Sequence, residues 1–494
     1  MNLARYCLEN ASPAPERTAL EVIGPDGILL ERWSYGDLRR TILSIAAGLT
    51  AQGLARGDRV LLRLGHSSDF PLMFFGAIAG GFVPVPTSDM LTSPEADQVL
   101  ADSGAVLVLH DGKTALPQAQ ARLLGPDDLA ALKATVPGDF AETAADDPAF
   151  LIYTSGTSGT PKGVLHAQRA AAARAPMYQG WYGIGPEDRL LHAGAFNWTY
   201  TMGVGLMDPW ANGATSLVYS GPRDPEIWPG LLEKSGATLF AAVPSLYRRM
   251  LKYGKVDRDA FPALRHGLTA GEALPGLLHV QWQDRTGRPL YEALGMSEIS
   301  TYISSGPLTP TRAGSPGRPQ EGRKIAVLRE EADEPEITED EEIGLLAVHR
   351  SEPGLMLGYW NRPEETQSAF FGDWFLTGDR ATRDGDGYYW YEGRTDDVMN
   401  AFGYRVAPEE VERVIVSHPA VAEVAVVARP VRDGVSLITA FVVPHKPDFR
   451  DATLLAEFAG KHLAEYKRPK EYVFVDALPR TASGKLRRKA LIAS

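Results

Sequence analysis

The sequence predicts an α/β protein of two domains, a large one over residues 1–393 and a small one over residues 394–494. Three observations predict it. The chain has 494 residues, too many for a single hydrophobic core. From about Asp58 to Tyr291 short β-rich runs alternate with helix-like stretches, the pattern of βα units on parallel sheet. After Gly393 the alternation restarts on about a hundred residues, enough for a domain with its own core.

Taken in order, the first β-rich run is Val60–Leu62. Pro71–Pro86 reads as a buried helix running into a strand; Gly76, Gly80, Gly81 and Pro84 interrupt it, and it falls short of the roughly 20 apolar residues a membrane span needs. Ala105–Leu109, Phe150–Tyr153, Thr215–Tyr219 and Ala237–Phe240 follow as further strands. Around Glu321–Tyr391 the pattern changes to short strands. There Asp384-Gly385-Asp386-Gly387 precedes the aromatic run Tyr388–Tyr391, a tight-hairpin signal. In the small domain Pro408, Glu409 and Glu410 open a helix whose apolar Val411, Val414 and Ile415 have helical spacing. His418-Pro419 ends it. Strands at 421–427 and 437–443, a helix at about 453–466 and a strand at 472–475 complete the prediction, with Arg394-Thr395-Asp396-Asp397 as the joint.

Composition narrows the function. Lys and Arg number 50 against 62 Asp and Glu, a net charge of −12. Nine of the acids lie between Glu330 and Glu342, in a solvated loop or hairpin, and without them the balance is about −3. Such a chain lacks the basic face that nucleic acid or anionic lipid requires, so neither is expected as a partner. A single cysteine, Cys7, excludes a disulfide framework and paired-cysteine zinc sites. Met1–Tyr6 has no basic segment leading into an apolar run, so a secretory signal is not expected and the cytoplasm is.

The strongest local signal is Tyr153-Thr154-Ser155-Gly156-Thr157-Ser158-Gly159-Thr160-Pro161-Lys162-Gly163, directly after an apolar strand. Glycines let backbone N–H groups approach an anion, hydroxyls add donors, and a lysine adds charge. The order is neither a Walker A motif nor a nucleophile elbow, and a polyphosphate suits it.

This loop resembles the phosphate-binding signature of the adenylate-forming enzymes, which include acyl-CoA synthetases, luciferases and carrier-protein adenylation domains. Further blocks stand in that family's order: Thr269-Ala270-Gly271-Glu272-Ala273-Leu274, Gly295-Met296-Ser297-Glu298, Thr377-Gly378-Asp379, Gly393-Arg394-Thr395-Asp396-Asp397, Gly403-Tyr404-Arg405 and Pro479–Lys485. The resemblance runs from about residue 30 to the C-terminus. It implies parallel βα sheets with a small β-barrel-like part in the large domain, and a mobile α+β lid for the small one. It also implies ATP and Mg2+, with CoA as co-substrate.

Site residues follow from the matched blocks. Thr154, Ser155, Gly156, Thr157, Ser158, Gly159 and Lys162 are implied at the ATP phosphates, and Gly271, Glu272, Ala273, Gly295, Met296 and Ser297 around the nucleotide. Asp379 can accept both ribose hydroxyls, and Arg394 adds a cation. Glu298 is implied as the magnesium ligand, in keeping with the preference of that ion for carboxylate plus substrate phosphates. Lys485 is implied as the catalytic lysine that offsets charge while the carboxylate attacks phosphorus, Asp396 as the hinge, and Gly403, Tyr404 and Arg405 beside the CoA channel.

The carboxylate pocket is expected at Trp198, Tyr200, Ala270, Leu294 and Thr301, with Trp198 at the aromatic gate. Leu294 replaces a tyrosine common in the family. Leu294–Ser304 resembles benzoate-type CoA ligases, whereas Asp208–Thr215 and the C-terminal blocks resemble short- and medium-chain acyl-CoA synthetases. The pocket segments before Glu298 offer no counter-ion for an ammonium, which disfavours an α-amino acid. The expected activity is an AMP-forming, ATP-dependent acid:CoA ligase acting on a small aliphatic or aromatic carboxylate. The alternative is loading of an acid onto a carrier-protein phosphopantetheine. Partners are the carboxylate and CoA, with a homodimer left open.

Overall fold

The computed structural model describes residues 1–11, 13–154, 161–222, 224–395, 399–401, 404–432, 435–479 and 486–492, without the side chains of Asn400, Ala401, Arg405, Glu409, Arg432 and Lys489. A nine-stranded sheet runs in the order Arg318–Pro319, Ser300–Ser304, Leu290–Met296, His266–Ala270, Leu239–Ala242, Arg189–His192, Thr215–Tyr219, Thr18–Ile23, Leu29–Ser34. Its six central strands are mutually parallel and its edges antiparallel. A second, all-parallel sheet holds Val83–Pro86, Arg59–Arg63, Leu107–His110 and Leu123–Leu124. The Pro71–Pro86 segment is a buried helix, Asp69–Ala79, followed by a strand, as its apolar run predicts.

One expected parallel strand is otherwise placed. Pro148–Thr154 pairs antiparallel with Lys162–Ala167, which pairs antiparallel with Gly358–Tyr359. The link between the first two is only the seven residues 155–161, and a parallel pair needs a crossover of a dozen or more residues. Thr154 therefore faces Lys162 across the ladder, at the base of the glycine-rich segment.

Residues 325–394 form a five-stranded antiparallel sheet. The acidic run joins the antiparallel strands Ile325–Leu328 and Gly344–His349. Arg329, Arg380 and Arg383 neutralise part of it through Glu336, Glu342, Glu330 and Asp340. The Asp384 turn is a hairpin between Trp374–Arg383 and Tyr389–Arg394, in which Asp384 accepts from the N–H groups of Asp386 and Tyr388.

After residue 398 the chain builds cores of its own around Val406, Val411, Ile415, Val426, Ile438 and Leu455 and around Ala425, Phe441 and Leu491. The helix Pro408–Val416, the strands Val421–Arg432 and Val435–Pro444, the helix Ala452–His462 and the strand Glu471–Phe474 follow the predicted order. The second helix stops four residues early. His462 gives way to extended Leu463 and a short 3₁₀ turn, Glu465–Lys467, and Ala464 there packs with Leu61, Val85 and Leu151 of the N-terminal sheets.

Candidate active site

Three parallel strands of the nine-stranded sheet end on one cavity of about 490 Å³. Asn197–Tyr200 follow the strand Arg189–His192, Ser245 follows Leu239–Ala242, and Gly271–Leu274 follow His266–Ala270. Ligands in open α/β sheets bind at these carboxyl ends. The adjoining strand Leu290–Met296 contributes Glu292 through Met296 along its length.

At the nucleotide end the cavity meets Thr154, Gly271, Glu272, Ala273, Gly295, Met296, Ser297, Asp379 and Arg394. Asp379 is buried, and Arg394 donates to its Oδ1 at 3.0 Å and to the Thr377 carbonyl at 3.3 Å. Gly378 between them has φ +75°, and a Cβ there would lie 2.7 Å from the Arg394 guanidinium, so only glycine fits. At Gly295 a Cβ would strike the Ser300 carbonyl oxygen at 2.4 Å. Glu272 accepts from the Ser245 N–H at 3.1 Å, and burial raises its carboxyl above the usual range.

Lys162 and Glu298 do not line this cavity. Lys162 Nζ pairs with Glu365 at 2.5 Å and lies 5.1 Å from the Tyr359 ring centroid. The same tyrosine donates its hydroxyl to Glu298 Oε1 at 2.9 Å, while Glu298 Oε2 is buried without a hydrogen-bond partner. An orphaned carboxylate oxygen is costly unless something electropositive covers it, so the residue fits a magnesium ion bound chiefly through substrate phosphates. Among the described residues no cluster of three acidic, histidine or cysteine ligands exists. His166 buttresses this turn. It stacks on Phe150 at 4.5 Å and its Nε2–H donates to the Ser297 carbonyl at 2.9 Å. Burial lowers its pKa to about 4, so the ring stays neutral.

All five predicted pocket residues, Trp198, Tyr200, Ala270, Leu294 and Thr301, line the cavity. The Tyr200 hydroxyl is buried without a partner, and its ring meets His192 edge-on at 4.5 Å. Ser300, with φ +83°, also lines the wall, and its hydroxyl accepts from Arg174. That arginine is spent otherwise: two guanidinium nitrogens grip Asp208 at 2.8 and 2.7 Å, with both side chains buried. The charge behind the wall is thus neutralised internally.

The C-terminal part closes the cavity with Met399, Tyr404, Val435, Ser436 and Tyr466. Tyr404 meets Trp198 edge-on at 4.5 Å and stacks on Tyr466 at 4.0 Å. Ser155, Gly156, Thr157, Ser158, Gly159, Asp396, Gly403 and Lys485 lie outside the described residues, as does the Arg405 side chain.

Sequence reasoning missed Glu292, Arg248, Tyr391 and Tyr466, all on the cavity wall. Glu292 carried a signal, an acid in the otherwise apolar strand Leu290–Met296. It is buried, accepts from the Leu274 N–H at 2.8 Å, and burial pushes its carboxyl up to about 8. Tyr466 had none, since only folding brings it to Tyr404.

Comparison with known proteins agrees with this geometry. The benzoate–CoA ligase of Thauera aromatica is 33% identical, covering 92% of this chain and 90% of its own. The 3-hydroxybenzoate–CoA ligase of Aromatoleum sp. is 30% identical with the same coverage. Among solved structures, a benzoate CoA ligase of Burkholderia xenovorans superposes with TM-score 0.73 at 30% identity, covering 99% of both chains. The o-succinylbenzoate CoA synthetase of Bacillus subtilis, bound to a CoA product analogue, reaches 0.84 at 25% identity, covering 99% of this chain and 98% of its own. The profile of the AMP-binding enzyme family matches residues 8–360, and that of the AMP-binding enzyme C-terminal domain matches residues 410–485. The chain therefore belongs to the AMP-binding, adenylate-forming enzyme family.

Proposed function

We propose that the protein is an AMP-forming acid:CoA ligase for a small aliphatic or aromatic carboxylate, with its domains meeting at residues 393 and 394. One observation carries the reading: a single cavity gathers the Asp379–Arg394 pair, the Trp198–Tyr200–Leu294 wall and Tyr404. Two successive reactions of one carboxyl group need that convergence. First a carboxylate oxygen attacks the α-phosphorus of ATP, the bond between the α-phosphorus and the bridging oxygen breaks, and pyrophosphate leaves. Then the CoA thiolate attacks the acyl carbon, the bond from that carbon to the phosphate oxygen breaks, and AMP leaves.

Asp379 accepts ribose hydroxyls while Arg394 holds its other side, and Thr154 and Lys162 anchor the strands that flank the phosphate segment. Lys485 offsets charge in the first step, and rotation about Asp396 exchanges it for the Gly403–Arg405 face. Glu298 would hold magnesium, which screens phosphate charge when bound. The wall formed by Ala270, Leu294 and Tyr200, with Arg174 neutralised by Asp208, supports an apolar acyl group beside the carboxylate. A cytoplasmic location accompanies this reading on the grounds of the single cysteine.

The test is the purified protein with ATP, Mg2+ and CoA against acids from acetate to decanoate plus benzoate and hydroxybenzoates, following AMP and thioester separately. Thioester with a preferred acid, abolished in Lys485→Ala, is expected. Pyrophosphate release without thioester would move the acceptor to a carrier protein.

A further inference from the structure

A buried ionic cluster lies away from the cavity, where the C-terminal part meets the N-terminal sheets. Lys467 Nζ is 3.0 Å from Glu95 Oε1 and 2.5 Å from Glu410 Oε1. All three side chains are at most 7% exposed. Glu410 opens the helix Pro408–Val416 and Lys467 ends the 3₁₀ turn Glu465–Lys467, so these two travel together in the C-terminal part. Glu95 belongs to the helix Ser93–Ser103 of the N-terminal part. Of these two ion pairs Glu95–Lys467 crosses between the parts, beside a hydrogen bond of 3.3 Å from the Thr92 hydroxyl to the His462 carbonyl. Glu95 is itself fixed, because its Oε2 accepts from the N–H and hydroxyl of Thr92 at 2.9 and 2.8 Å in a capping box.

The residue before Lys467 links this pair to the cavity. Tyr466 stacks on Tyr404, and Tyr404 meets Trp198 at the cavity wall. Ala464, two residues earlier, is fully buried against the N-terminal sheets. The three positions seat one short turn on the large domain, and the aromatic stack extends that seating to the acyl wall.

We infer that Glu95 and Lys467 are positioning residues of the thioester-forming half-reaction: their cross-interface ion pair holds the C-terminal domain where Tyr404 closes on Trp198. This rests on the two-step ligase reading above. A buried pair acts in this way because separating it, or removing one member, leaves an uncompensated charge in the contact. Adenylation does not call on the pair if the C-terminal domain turns between steps, since Glu95 and Lys467 then part while Lys467 keeps Glu410.

The two steps are measured apart in wild type, Glu95→Gln, Lys467→Met and Lys467→Arg. Adenylation is read as pyrophosphate release without CoA, and the second step as single-turnover thioester formation from synthetic acyl-AMP and CoA. Glu95→Gln keeps an acceptor for the Thr92 cap, so the helix Ser93–Ser103 remains folded. We expect its adenylation within about twofold of wild type and its thioester step at least tenfold slower. Lys467→Met strands the buried Glu410 as well and should lower urea stability too, whereas Lys467→Arg, which keeps both carboxylates paired, should stay within about threefold of wild type in both steps. In Glu95→Gln an equal fall in both steps, or no fall in either, would overturn the inference. Wild type making no thioester from any acyl-AMP would instead remove the ligase reading, and this inference with it.

Discussion

Replacing Glu292 with glutamine should make the protein more stable at alkaline pH and leave it nearly unchanged at acid pH. The carboxyl is buried in the cavity wall, with the Leu274 N–H at 2.8 Å on one oxygen. Burial pushes its pKa up from 4.5 to about 8. A group whose folded pKa is raised stabilises the fold fully below its unfolded value, and that contribution is lost as pH rises through the folded one. The window is therefore pH 4.5 to about 8. At about 1.4 kcal/mol per pH unit, its full width corresponds to a loss of about 5 kcal/mol, an upper figure. Glutamine keeps the shape and the acceptor for Leu274 but does not titrate. Urea unfolding of both proteins at pH 5, 7 and 9 checks this, because other titrating groups cancel in the difference. A stability difference that grows with pH by about 2 kcal/mol or more supports the reasoning. Parallel curves from pH 5 to 9 would refute it, since Glu292 would then be ionised in the fold at neutral pH.

Three further outcomes follow from the same geometry. Arg174→Met strands the buried Asp208 carboxylate and should cost about 3–5 kcal/mol in urea unfolding, with Arg174→Met/Asp208→Leu less damaging than the single change. Gly378→Ala places a Cβ on the Arg394 guanidinium at φ +75°; KM for ATP should rise about tenfold, a loss of about 1.4 kcal/mol, while KM for the acid stays within twofold. Tyr200→Phe removes a buried hydroxyl that has no partner; the melting temperature should not fall, because an unsatisfied buried group costs about 1–3 kcal/mol, and kcat/KM should shift toward acids lacking a hydroxyl.

Much of the architecture was legible because βα alternation and apolar runs are local signals. Thr215–Tyr219 is a strand over the predicted residues, and the helix at Pro408 starts where proline and the acids place it. The antiparallel setting of Pro148–Thr154 was missed because strand direction depends on the connection, and the glycine-rich segment was read for its chemistry rather than its length. The cavity residues of the Thr269 and Gly295 blocks were legible because short motifs keep neighbours in sequence together in space. Tyr466, Glu95 and Lys467 were not. Their meaning lies in pairings across about 60 to 370 residues of chain, which no periodicity records.

A mixed anhydride of an acid and AMP hydrolyses when water reaches it, so a two-step ligase must change its second reactant without opening the site. The arrangement described here meets that need from one side only. In the reading proposed above, Asp379, Thr154 and the acyl wall belong to the N-terminal domain and need not move between steps, whereas Lys485 and the cavity residues Tyr404, Val435, Ser436 and Tyr466 come from the C-terminal one. Moving only the latter would replace one cavity wall while the intermediate stays bound, and the Trp198–Tyr404–Tyr466 stack packs three rings at the junction. The C-terminal wall of the cavity and the cross-interface ion pair thus belong to one arrangement, which under the inference above is the one that admits a thiol rather than ATP.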